Sequence, residues 1–114
     1  MQTLRLVEKS LRPGCHEIQV EGEIDLAVAD RLREALEEAA AEHDQILIGL
    51  QRCEFIDSTA IAVIIQAHNE MAARGQRVVV YGACSQVLRI LSVTGLTKNG
   101  LVFETADEAL SASE

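Results

Sequence analysis

Cys53-Glu54-Phe55-Ile56-Asp57-Ser58-Thr59-Ala60-Ile61-Ala62-Val63-Ile64 is the stretch on which the reading of this chain turns. Ahead of it, Ile46 to Leu50 is a nearly unbroken apolar run of strand length. From Ile61 onward the apolar residues recur at helical spacing, so Asp57-Ser58-Thr59 falls where a strand hands over to a helix. A helix start leaves backbone N–H groups unpaired, and those groups together with the helix dipole attract anions. Ser, Thr and Asp are the usual N-cap residues, so capping alone accounts for the residue types. The same place also suits a modification. A phosphate on Ser58 would add about −1.5 to −2 charge where the dipole favours negative charge by roughly 0.3–1 kcal/mol, so the fold would accept it while the surface seen by a partner changed.

Working outward from this junction, Thr3 to Glu8 and Glu17 to Ile24 alternate as strands do, with Leu4, Leu6, Ile18 and Val20 facing one way. Arg12-Pro13-Gly14 between them is a turn signal, which predicts an antiparallel hairpin. Asp25 is placed to cap a helix whose apolar stripe is Val28, Ala29, Leu32, Leu36, Ala39 and Ala40. Asp30, Arg33, Glu34, Glu37 and Glu38 then form its solvated face. After the Ile46–Leu50 strand and a helix over 60–74 comes Arg77 to Tyr81, with Val78-Val79-Val80 at its centre. Two uninterrupted apolar strands separated by a helix predict a parallel pair joined by a right-handed crossover. Ser85 can cap a short helix carrying Val87, Leu88 and Leu91, which Gly95 can end. Leu101 to Phe103 is a last short strand, and Thr105-Ala106-Asp107-Glu108 has the form of a capping box opening a terminal helix with Ala109 and Leu110 inward. The expectation is an α/β fold in one domain over residues 1–114, a mixed sheet with an N-terminal hairpin, parallel crossover strands and about four helices.

Composition narrows the function classes. Ten basic against eighteen acidic residues give a net charge of −8, and aromatic residues make up 3%. Neither the clustered Lys and Arg of a phosphate-backbone partner nor a stacking platform for bases is present, so nucleic acid is not expected. No apolar run approaches the roughly 20 residues of a membrane span and the amino terminus lacks a signal-peptide core, which predicts a cytoplasmic protein without membrane insertion. Cys15, Cys53 and Cys84 are odd in number and lack Cys-x-x-Cys spacing, and His16, His43 and His68 are scattered, so neither disulfides, a metal nor a cofactor is expected. His68 shares a helix face with Ile61, Ile64, Ile65 and Met71 and reads as a hydrogen-bonded histidine at the core edge. As a general base for Ser58 it stands ten residues away on one helix, roughly 15 Å, beyond hydrogen-bond reach. With no nucleophile elbow, phosphate loop or zinc helix either, the chain is not expected to be an enzyme.

Phe55-Ile56-Asp57-Ser58-Thr59 resembles the phosphoacceptor segment of the anti-sigma factor antagonist family, whose members carry the STAS domain and typically read Asp-Leu, a few residues, then Phe-Ile-Asp-Ser-Ser/Thr-Gly-Leu. The resemblance extends to Val20-Glu21-Gly22-Glu23-Ile24-Asp25, Val87-Leu88-Arg89-Ile90-Leu91, Thr94-Gly95-Leu96 and Val102-Phe103. Gly49 departs from it, standing where the family has the Asp of Asp-Leu. That departure removes a carboxylate expected near the acceptor hydroxyl. Ala60 and Ala62 replace the glycines of Gly-Leu-Gly.

The resemblance implies a binding protein that works by partner switching. Unphosphorylated, it would bind an anti-sigma factor that is also a serine kinase. Phosphorylation of Ser58 would end that binding, and a serine phosphatase would restore it. Asp25, Asp57, Thr59, Ala60 and Ala62 would surround Ser58 on the partner-facing surface. Two other classes stand beside this one: a STAS subunit bracing the ATPase of a lipid ABC transporter, which the loss of the Asp at Gly49 leaves room for, and a weak nucleotide-binding module.

Overall fold

The structure, a computed structural model, describes residues 5–24, 29–56, 58–93 and 102–111. In chain order these form β1 (Arg5–Arg12), β2 (Cys15–Ile24), α1 (Ala29–Glu42), β3 (Gln45–Ile56), α2 (Ser58–Ala73), β4 (Arg77–Tyr81), α3 (Ser85–Val93), β5 (Val102–Phe103) and α4 (Ala106–Ser111). The strands make one mixed sheet in the order β1-β2-β3-β4-β5, antiparallel between β1 and β2 and parallel thereafter. The hairpin turns at Pro13-Gly14, where Gly14 takes a φ of 80° that other residues rarely adopt. Its carbonyl accepts from the N–H groups of both Asp44 and Gln45, tying the turn to the start of β3.

The larger apolar cluster fills the space between the sheet and the helices α1, α2 and α3. Leu32 and Leu36 meet Ile61, Ile64 and Met71 there, over Ile18, Ile46, Ile48, Val78 and Val80, with Val87 and Leu91 at one side. Full burial of an isoleucine such as Ile61 or Ile64 contributes about 1.5–3 kcal/mol, so this layer supplies most of the fold's stability. On the other face a smaller cluster of Cys15, Leu47, Val79, Tyr81 and Ala109 lies under α4. Burial on both faces explains the apolar runs Ile46–Ile48 in β3 and Val78–Val80 in β4.

Four expectations change. The hairpin strands expected to end at Glu8 and to begin at Glu17 run on to Arg12 and start at Cys15, so the ladder reaches the turn itself. The strand expected over 46–50 runs on to Ile56. Two bulges each give β3 one extra residue against β2: Gln19 and Glu21 oppose Gly49 and Arg52, and Gly22 and Glu23 oppose Cys53 and Phe55. Inward positions therefore step by three, from Leu50 to Cys53 to Ile56, and all three remain in the large cluster. Leu88, expected inside, is 42% exposed; Ile90 packs against the core instead. In the capping box, Thr105 Oγ1 accepts from Glu108 N–H as expected, but the Glu108 carboxylate accepts from the N–H of Glu104 rather than of Thr105. The expected roles of Leu4, Val28, Gly95 and Leu101 lie outside the described residues. No helix among those described is long and apolar enough to cross a membrane.

Candidate functional site

The parallel strands β2, β3 and β4 all point one way, so the helices that follow them start at one end of the sheet. Ile24 and Ile56, the last residues of β2 and β3, are paired in register, and α1 and α2 begin within five residues of them. Cys84, just before α3, donates its thiol to the carbonyl of Cys53 at 3.8 Å, bringing a third helix start to the same region. Such a gathering at the carboxyl ends of parallel strands favours an anionic group, because each helix start offers unpaired N–H groups and the positive end of its dipole.

Ser58 is the first residue of α2 and is exposed. The burial of Ile56, Ala60 and Ile61, at 0%, 0% and 2%, anchors the chain on either side of it. One turn on, Ala62 is exposed, and Gln66 after it, so Ser58, Ala62 and Gln66 share an outward stripe at i, i+4 spacing. Thr59 is half-buried. Ala60 lies in the core, so its side chain does not stand on the face that Ser58 and Ala62 present. No acidic residue lies within the first turn of α2 to oppose a phosphate there. Asp25 and Asp57 lie outside the described residues.

His68 is half-buried on α2, and among the described residues its buried Nδ1 has no hydrogen-bond partner. The hydrogen bond expected at the core edge is therefore not made through Nδ1 among the described residues. No group of three or more His, Cys, Asp or Glu among the described residues is arranged to hold a metal ion.

Position 49 does not behave as expected. β3 alternates, with Ile48 and Leu50 on the helical face and Leu47 on the other, so Gly49 faces the side of α4. A side chain there would point away from α2 and would not stand beside Ser58. The space it would take is filled by Tyr81: a Cβ on Gly49 would come within 2.8 Å of the tyrosine oxygen and 3.0–3.2 Å of the ring. The phenol reaches across β3 and donates to Glu17 Oε2 on β2 at 2.5 Å. Glu17 is 2% exposed, and its other oxygen accepts from Gln19 at 3.1 Å and lies 3.7 Å from Lys9 Nζ. Burial, then the Glu17 hydrogen bond and negative charge, push the Tyr81 pKa up to about 12. Sequence reasoning missed this network. Its one signal was Gly49 itself, because glycine inside an apolar strand marks a close approach of other groups.

A family model described as "Mlab, STAS domain" matches residues 7–103. The anti-sigma-B factor antagonist of Listeria monocytogenes is 32% identical over 82 residues, which cover 71% of this chain and 72% of that protein. Among solved structures, an anti-sigma factor antagonist from Mycobacterium paratuberculosis superimposes with a TM-score of 0.87 at 23% identity, over 96% of this chain and 93% of that one. The Bacillus cell fate determinant SpoIIAA in its phosphorylated form gives 0.74 at 17% identity, over 98% and 100%. At these identities the two structures speak for the fold.

Proposed function

The chain belongs to the anti-sigma factor antagonist family of STAS-domain proteins, and on that premise we propose that it binds an anti-sigma factor with serine kinase activity and is switched off by phosphorylation of Ser58. The observation that carries this reading is the placement of Ser58: exposed, at the first residue of α2, within the motif Phe55-Ile56-Asp57-Ser58-Thr59. That a relative of the same fold has been solved in a phosphorylated form supports it.

The chain's own residues supply the physical logic. Ser58, Ala62 and Gln66 form a face of small and neutral groups that another protein can approach closely. Phosphate at its edge is stabilised in the free protein by the N–H groups of the helix start, so the fold survives. In the complex the same two charges lose water, and unpaired burial of charge costs several kcal/mol, where about 1.4 kcal/mol is already tenfold in affinity. Binding therefore fails while folding does not. A serine phosphatase resets the cycle. In this reading the chain is a cytoplasmic binding protein with no catalytic residue, cofactor or nucleic-acid partner of its own. The family resemblance would put Asp25, Asp57 and Thr59 beside the acceptor, and Ala62, exposed one turn after Ser58, on the contact face. Incubation with the cognate kinase and ATP is expected to add one phosphate, which Ser58→Ala abolishes. Phosphate mapped to Thr59 with Ser58 unmodified would contradict the assignment.

A second reading draws on the description of the matching family model, which names Mlab: a constitutive subunit bracing a lipid transporter's ATPase. It requires no acceptor at Ser58, and it predicts an affinity for its partner that phosphorylation leaves unchanged.

A further inference from the structure

We propose that Cys84 and Cys53 are a peroxide-sensitive pair that closes into a reversible disulfide, joining the start of α3 to the strand that delivers Ser58. The two differ in the way such a pair requires. Cys84 is exposed and open to an oxidant, whereas Cys53, like Cys15, is buried. Proximity comes from the way the sheet ends. β4 stops at Tyr81, opposite Gly49, so β3 beyond that point has no β4 beside it. The chain then turns at Gly82, whose φ is +76° and whose missing Cβ would press on Gln51 Cγ at 2.5 Å. Gly82 N–H donates to Phe103 O at 3.1 Å, and Cys84 O accepts from Leu88 N–H at 2.7 Å, which fixes the backbone on both sides of the thiol. Cys84 Sγ is thereby set 3.8 Å from the Cys53 carbonyl oxygen.

With about 1.2 Å for C=O and 1.5 Å for Cα–C, that places the sulfur within roughly 6.5 Å of Cys53 Cα. A disulfide needs a Cα separation of roughly 4.4–6.8 Å, and closing this one requires Cys84 Sγ to turn from the Cys53 carbonyl oxygen to the Cys53 sulfur. Cys53 belongs to the large cluster on the helical face, and Val87 and Leu91 of α3, the helix that Cys84 leads into, belong to the same cluster, so the two cysteines lie where β3 and the start of α3 meet.

The chemistry is a two-electron oxidation. The Cys84 thiolate attacks one peroxide oxygen, an S–O bond forms as O–O breaks, and the departing hydroxide takes a proton to leave as water. Cys53 then attacks the sulfenic sulfur, S–S forms as S–O breaks, and a second water leaves with the Cys53 proton. Two thiols and one hydrogen peroxide become one disulfide and two waters. A dithiol reductant reverses the change by exchange. This input is independent of the kinase, and its test uses neither kinase nor partner.

The native protein is treated with hydrogen peroxide, quenched with a maleimide, digested without reduction and mapped by mass. The expected product is an intramolecular Cys53–Cys84 peptide, two hydrogens lighter than its parts and lost on treatment with dithiothreitol, with Cys15 still a thiol. In Cys53→Ser and Cys53→Ala, Cys84 is expected to be trapped by dimedone as a sulfenic acid and then to proceed to sulfinic acid. Wild-type Cys84 that reaches sulfinic acid as fast as in these variants, or that links to Cys15 or to a second molecule, would overturn the proposal. Should both Cys53 variants fail to fold, the wild-type linkage map decides alone.

Discussion

Position 49 and the start of α2 are where the resemblance puts departures of this chain from the family motif, and their surroundings respond in opposite ways. At position 49 the missing side chain is filled from outside: Tyr81 occupies its space, and the tyrosine in turn fixes Glu17, Gln19 and Lys9. At the helix start, the alanine at 62 faces solvent, and the one at 60 tucks into the core as any small residue would. A departure inside a packed polar network obliges its neighbours to change with it. One beside exposed Ser58 leaves the hydroxyl free, which the proposed switch requires. The carboxylate absent from β3 has a counterpart on β2, but on the sheet face away from Ser58.

The largest effect is expected for Gly49→Asp, which supplies the carboxylate that the resemblance leads one to expect there. Its Cβ would meet the Tyr81 oxygen at 2.8 Å, and its carboxylate would join buried Glu17. Overpacking together with an unpaired buried charge predicts a loss of about 3–5 kcal/mol in denaturant unfolding. In a double-mutant cycle Tyr81→Phe should reduce that loss. A neutral Gly49→Asp would break the comparison, since position 49 would then be as independent as position 62.

Next in size is Tyr81→Phe, which leaves Glu17 buried without its phenol donor and should cost about 1–3 kcal/mol. Tyr81 is the chain's single tyrosine, so the tyrosinate absorption reads it alone. Titration should give a pKa near 12, and Glu17→Gln should bring it back toward 10.0, the ordinary value. Because the folded-state pKa is raised, the stability that Tyr81 contributes is fully present below pH 10 and is lost as pH rises through 12. The stability gap between wild type and Tyr81→Phe should narrow across that window.

The smallest stability effect belongs to Ser58→Ala. An exposed residue at a helix start should cost no more than the ~0.5–2 kcal/mol typical of a lost cap, with partner binding retained. A collapse of the fold in a denaturant melt would make Ser58 a structural residue first.

How much of this could be read from the residues depended on whether the signal was local. β4 was legible to the residue, since Val78-Val79-Val80 is buried on both faces and ends at a glycine turn. The stripe of α1 was legible because its 3.6-residue period is unbroken, with Ala35 alone missed. The second half of β3 was not: each bulge adds a residue, so the buried positions Leu50, Cys53 and Ile56 lose the period of two that marks a strand. Ser58 could be placed at the helix start because motif and period change coincide there. The side to which position 49 faces could not, because what fills it comes from Tyr81 and Glu17, each about thirty residues away in the chain. The nearness of Cys84 to Cys53 depends likewise on where β4 stops.

The central claim is that Ser58 stands on the partner-binding face and that charge there controls affinity, and calorimetric titration of the anti-sigma partner tests it most directly. Wild type, Ser58→Glu and Ser58-phosphorylated protein should bind in that order of decreasing affinity. The glutamate variant is expected to be at least tenfold weaker, about 1.4 kcal/mol, and the phosphoprotein weaker still because its phosphate carries more charge. Equal affinities for all three, with each protein folded, would contradict the switch and leave a constitutive binding subunit in its place.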